Sequence, residues 1–104
     1  MSTKIMVQID PDLSDLIPAF LARKRAEARA IAAAVERSEF HSVADYAHRL
    51  KGDGGSYGFD EISAIGADLE AAAQAGERAA VERLAEKILA YLDRVAVVYK
   101  SGAN

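Results

Sequence analysis

Apolar residues in this chain recur every three to four positions in four successive stretches, and almost nowhere do they alternate with polar ones. That spacing matches the 3.6-residue turn of a helix and not the two-residue repeat of a strand. The first stretch carries Leu13, Leu16, Ile17, Phe20, Leu21, Ile31 and Val35. The second carries Phe40, Val43, Ala47 and Leu50, and the third Ile62, Ile65, Leu69 and Ala73. The fourth carries Val81, Leu84, Ile88, Leu92 and Val95, with Leu89 and Tyr91 at its edges. Only Ile5 to Ile9 alternates, weakly, and it is too short to build a sheet alone. Short connections between amphipathic helices make sequential helices antiparallel neighbours. The predicted fold is therefore all-α, an antiparallel up-down four-helix bundle with a short or kinked N-terminal helical segment.

Local signals set the boundaries. Asp10-Pro11 is a capping residue followed by a proline suited to the first helical position. Pro18 cannot donate a backbone hydrogen bond, so it either kinks the first helix or splits off a short one. That region ends near Glu36-Arg37-Ser38. The second helix is expected from about Glu39 to Ser56, and the third from about Asp60 to Gly76, a plausible terminator. The fourth is expected from Glu77 to Tyr99. Residues 1–104 form one domain, with 1–9 as an N-terminal segment and 100–104 as a frayed tail.

Composition narrows the class. Apolar residues are 51% of the chain, enough for a real core. With no cysteine, disulfides and thiolate chemistry are excluded. No apolar run approaches the ~20 residues of a membrane span, and the first ten residues lack the length of a signal peptide. A cytoplasmic protein with no membrane partner is expected. A net charge of −3 argues against nucleic acid. The basic cluster Arg23, Lys24, Arg25 and Arg29, interrupted by Glu27, reads as a solvated helix face.

The chemistry concentrates at Ala47-His48-Arg49-Leu50-Lys51-Gly52, followed by Gly54, Gly55 and Gly58. Each glycine in a helix costs roughly 1 kcal/mol relative to alanine, so several together need a reason. At about 100° per residue, His48 falls at the solvent edge of the second helix. Its neighbours on that ridge are Ala44, Lys51, Gly52 and Gly55, three of them tiny. A nucleophilic imidazole beside a cation, on a face stripped of side chains, suits a histidine that carries a phosphoryl group and meets a bulky partner. Lys51 can neutralise the added charge. Arg49 points away, while Asp45 and Asp53 work against an anion. His41 lies seven residues before His48, about 10.5 Å along the helix. That is too far for a shared metal, and His41 is expected at the edge of the docking face.

His48-Arg49-Leu50-Lys51-Gly52, with Gly58 six residues on, resembles the signature of histidine-containing phosphotransfer (HPt) domains. The resemblance extends through Phe59, Ile62, Ile65, Gly66 and Leu69, and Asp53 departs from it. It implies a four-helix bundle and a phosphorelay intermediate of two-component signalling. His48 would be the phosphoacceptor, Lys51 would steady the phosphate, and Gly52 would clear the docking surface, with Ala44, Gly55 and His41 around it. The partners would be receiver domains of response regulators or hybrid histidine kinases, met by a monomer. No phosphate-cradling loop or kinase motif is present. The chain is thus expected to be a phosphocarrier without its own kinase activity and without a cofactor, the Mg²⁺ residing on the receiver.

Overall fold

In the computed structural model, residues 3–100 are described. The chain runs through strand β1 (Ile5–Ile9), a 3-10 turn (Pro11–Leu13), and helices α1 (Ile17–Glu36), α2 (Phe40–Ser56), α3 (Asp60–Gln74) and α4 (Arg78–Arg94). It closes with strand β2 (Val95–Tyr99). The helices form a closed ring of contacts, α1 on α2 and α4, and α3 on α2 and α4. Three residues join each pair of consecutive helices. Gly76, after α3, takes the left-handed conformation (φ 69°) that glycine adopts without strain.

The four expected α-helices are present among the described residues, but the fold is not purely helical. The fourth helix ends at Arg94 rather than Tyr99, and Val95–Tyr99 is a strand paired in parallel with β1, Ile5 against Val95 through Ile9 against Tyr99. The reason is chemical. Val-Ala-Val-Val-Tyr is rich in residues that favour extended backbone, and its partner strand lies at the other end of the chain. In the last turn of α4 the Leu92 carbonyl accepts from Arg25 Nε and Nη2, 3.4 Å from each.

Of the two alternatives at Pro18, the structure has the short separate piece: the 3-10 turn stands apart from α1, and Pro18 occupies the first turn of α1, where a missing N–H costs nothing. The 3-10 turn before it is capped by Asp10, whose carboxylate accepts from the Asp12 N–H at 2.9 Å. Leu16, expected in the core, is exposed because it precedes the helix. Most other stripe positions are buried as expected, Val43, Ala47 and Leu50 of α2, Ile62, Ile65, Leu69 and Ala73 of α3, and Val81, Leu84, Ile88 and Leu92 of α4, whereas Leu13, Phe40 and Val95 at the element ends are half-buried and Tyr91, expected at an edge, is buried.

One position of the α1 stripe overturns the solvated-face reading of the basic cluster. Lys24 falls one turn from both Phe20 and Ala28 and is fully buried. Its ammonium lies 2.9 Å from Glu27 and 2.7 Å from Asp53. Next to it Phe20 stacks on Tyr57 and Phe59, with centroids 4.2 and 5.3 Å apart. A lysine survives in a core only with its charge paired.

Candidate functional site

α2 and α3 approach more closely than ordinary side chains allow. A Cβ on Gly66 would lie 2.6 Å from the Lys51 backbone nitrogen and 2.9 Å from the Ala47 carbonyl. A Cβ on Gly54 would lie 2.7 Å from the Ser63 nitrogen. Ser63 fills the seam: its hydroxyl accepts from the Gly55 N–H at 2.7 Å and donates to the Lys51 carbonyl at 2.8 Å. The glycines of α2 thus divide into two kinds. Gly54 faces α3, whereas Gly52 faces solvent with nothing within 4 Å of a Cβ placed there.

Close approach puts one α3 side chain within reach of α2. Glu70, four residues beyond Gly66, places Oε2 3.0 Å from His48 Nδ1 and Oε1 3.7 Å from Lys51 Nζ. The carboxylate is largely buried, 15% exposed, while the imidazole is 71% exposed. With Nδ1–H donating to Glu70, the ring is held in the tautomer whose Nε2 carries the lone pair. Nε2 has no hydrogen-bond partner among the described residues.

A groove of about 390 Å³ lies beside this ring between α2 and α3. Its lining includes His41, Ala44, His48, Glu70 and Gln74. Ala44 is at its buried floor, and His41 is almost fully exposed at its mouth, 3.7 Å from Asp45. Gly52 and Gly55, both exposed, lie outside this lining along the same helix. The groove and the bare helix surface therefore extend in opposite directions from His48.

Of the two acidic residues that work against an anion, Asp53 is engaged by buried Lys24 at 2.7 Å, whereas Asp45 stays exposed, 3.7 Å from His41. Arg49 packs over the Tyr46 ring at 5.2 Å. Glu70, Gln74, Ser63 and the Lys24–Asp53 pair went unrecognised in the sequence. The one available signal for Glu70 was its position a helical turn after Gly66.

The arrangement offers an exposed, tautomer-fixed imidazole, a mobile cation one turn away, and open surface on both sides. A family model described as the Hpt domain matches residues 15–97. No curated protein and no solved structure with significant similarity was found. Hpt domains are phosphocarriers of phosphorelay signalling, not kinases, and they interact with receiver domains. The match begins just before α1 and runs into β2, spanning all four helices and the His48 face, so the chain belongs to the Hpt domain family.

Proposed function

We propose that His48 accepts a phosphoryl group from the aspartyl phosphate of one receiver domain and passes it to the aspartate of another. The Nε2 lone pair attacks phosphorus, an N–P bond forms, and the O–P bond to aspartate breaks, returning that residue to a carboxylate. The Nδ1 proton stays in its hydrogen bond to Glu70, which stabilises positive charge as it develops on the ring. Lys51 then offsets the new negative charge from one turn away. The partner receiver supplies Mg²⁺ and most of the transition-state stabilisation.

A single observation carries this reading. In a chain of the Hpt family, the motif histidine has Nδ1 tied to a largely buried carboxylate at 3.0 Å and Nε2 open to solvent. Gly52 and Gly55 leave the adjoining surface low enough for a globular partner to reach that nitrogen. Ala44 and His41 extend the docking face along the groove. The three-residue connections support an antiparallel up-down order of the helices. No helix among the described residues is long and apolar enough to cross a membrane, and a cytoplasmic relay is the role these features fit.

The test is incubation with a phosphorylated receiver, followed by assay for acid-labile, base-stable phosphate on the chain. His48→Ala is expected to keep wild-type helicity, since an exposed side chain contributes little packing, and to accept no phosphate. His41→Ala is expected to accept it at the wild-type rate. Binding of a receiver without any transfer to His48 would identify a docking module instead.

A further inference from the structure

The sheet at the end of the bundle has unsatisfied edges. Parallel sheets are normally covered on both faces, and a two-stranded ribbon is marginal by itself. Here Ile5, Val7 and Ile9 pack toward the core, while Met6 and Val98 on the other face are 61% and 39% exposed. Among the described residues β1 and β2 each have one strand neighbour, so each carries a row of backbone groups directed away from the other. On β1 the Ile9 carbonyl accepts from the Lys100 N–H on the β2 side, and just before the strand the Thr3 carbonyl accepts from the Arg94 side chain. Because backbone groups alternate along a strand, the outward row belongs to Lys4, Met6 and Gln8.

We propose that β1 is an interface between two copies of this chain, pairing antiparallel with β1 of the second copy about a two-fold axis at Val7. Charge selects both strand and register. In this pairing Val7 faces itself, Met6 faces the partner's Gln8, Ile5 faces the partner's Ile9, and Lys4 faces the partner's Asp10. Both ends then carry opposite charges. Pairing β2 with itself in the same way, about Val97, would set Arg94 against Lys100, a repulsive arrangement. Lys4 and Asp10 are exposed, and neither takes part in an ion pair among the described residues. The register that brings these charges together also places the outward-directed residues Met6 and Gln8 opposite one another as a hydrogen-bonded pair.

The edge has room for a second copy. The molecule is 50 Å long, whereas α1, its longest helix with 20 residues, spans about 30 Å. β2 continues directly from the end of α4, so the sheet projects past the helices. The His48 groove shares no residue with β1, and both phosphoacceptor faces stay open in the pair. A single strand edge buries less than the ~1,200 Å² of a stable complex. The dimer is therefore weak, with a dissociation constant on the order of 10 μM to 1 mM, and the monomer expected from the sequence is the dilute species.

Sedimentation velocity of the full chain from about 10 μM to about 1 mM, bracketing that constant, is expected to show a dimer that grows with concentration. Met6→Pro removes an outward N–H and leaves the bonds to β2 in place, a substitution tolerated on strand edges. It should weaken association at least about tenfold with helicity unchanged. Lys4→Glu, which sets two acids opposite each other, should weaken it too, most at low salt. The chain has no cysteine, so Val7→Cys can report register. It should form a disulfide-linked dimer on oxidation much faster than Met6→Cys, whose thiol faces the partner's Gln8. A monomer across the whole range, a dimer unaffected by Met6→Pro, or equal cross-linking of the two cysteine variants would overturn the proposal. Should Met6→Pro fail to fold, the cysteine pair decides by itself.

Discussion

His48 Nδ1 and Glu70 Oε2 lie 3.0 Å apart although 22 residues separate them along the chain. The contact exists because Gly66, one turn before Glu70, lets α3 settle against the backbone of α2. A largely buried carboxylate that accepts from an exposed imidazole is a directional device: it holds the ring and fixes which nitrogen keeps the lone pair.

Glu70→Ala is expected to slow phosphoryl acceptance by roughly tenfold, the equivalent of about 1.4 kcal/mol in the barrier. The ring would be free to rotate and to exchange tautomers. Glu70→Gln keeps an acceptor oxygen but no charge and should recover part of the loss. Rates from one phosphorylated receiver, together with the imidazole tautomer ratio by nitrogen NMR, check this. An alanine variant with wild-type rate and tautomer ratio would remove Glu70 from the mechanism.

Lys51 shares the Glu70 carboxylate at 3.7 Å and is about half exposed. A charge-assisted hydrogen bond from the Lys51 ammonium to the phosphate would contribute ~1.5–3 kcal/mol, and exposure brings it to the low end. Lys51→Ala should cost about tenfold in phosphohistidine formation or lifetime without abolishing it. Lys51→Arg should restore part of the effect, the charge being kept but spread over a planar group. Transfer at matched salt separates the variants.

Two glycines predict opposite outcomes. Gly52→Leu meets nothing within 4 Å and adds a good helix former, so thermal stability should hold or rise while receiver affinity falls. Gly66→Ala drives a Cβ to 2.6 Å from the Lys51 nitrogen, backbone that cannot swing aside. It should cost about 1–3 kcal/mol in denaturant unfolding and also reduce transfer, by moving Glu70 away from His48.

Tyr91 is buried, and burial, reinforced by Glu61 and Asp60, pushes its phenol up to about 12. Its unfolded value is about 10. The folded state therefore holds the proton more tightly. The associated stability, about 2–3 kcal/mol at most, is complete below about pH 10 and lost as pH rises toward 12. Tyr91→Phe should flatten that part of the stability profile. Unfolding free energies of the two proteins across pH 9–12, compared by difference, are the measurement.

Most of the bundle was legible in sequence because a helix is a local object. Val43, Ala47 and Leu50, or Ile62, Ile65 and Leu69, declare a buried face through spacing alone. The His48-to-Gly52 run is local as well, so helical spacing alone sets its solvent-edge position and puts Lys51 one turn from His48. Lys24 was misread because its helical position and its charge point to opposite environments. Only Asp53, brought close by packing, allows the charge to follow the position inward. Val95–Tyr99 was misread because a strand requires a partner, and that partner, Ile5–Ile9, is at the far end of the chain. Glu70 was missed for the same reason: nothing near it in sequence says that α3 will lie against α2. Spacing along the chain accounts for the helices and for the exposed position of His48. Which charges are paired, where the last helix gives way to a strand, and which carboxylate meets the histidine follow from packing, because each depends on contacts between residues distant along the chain.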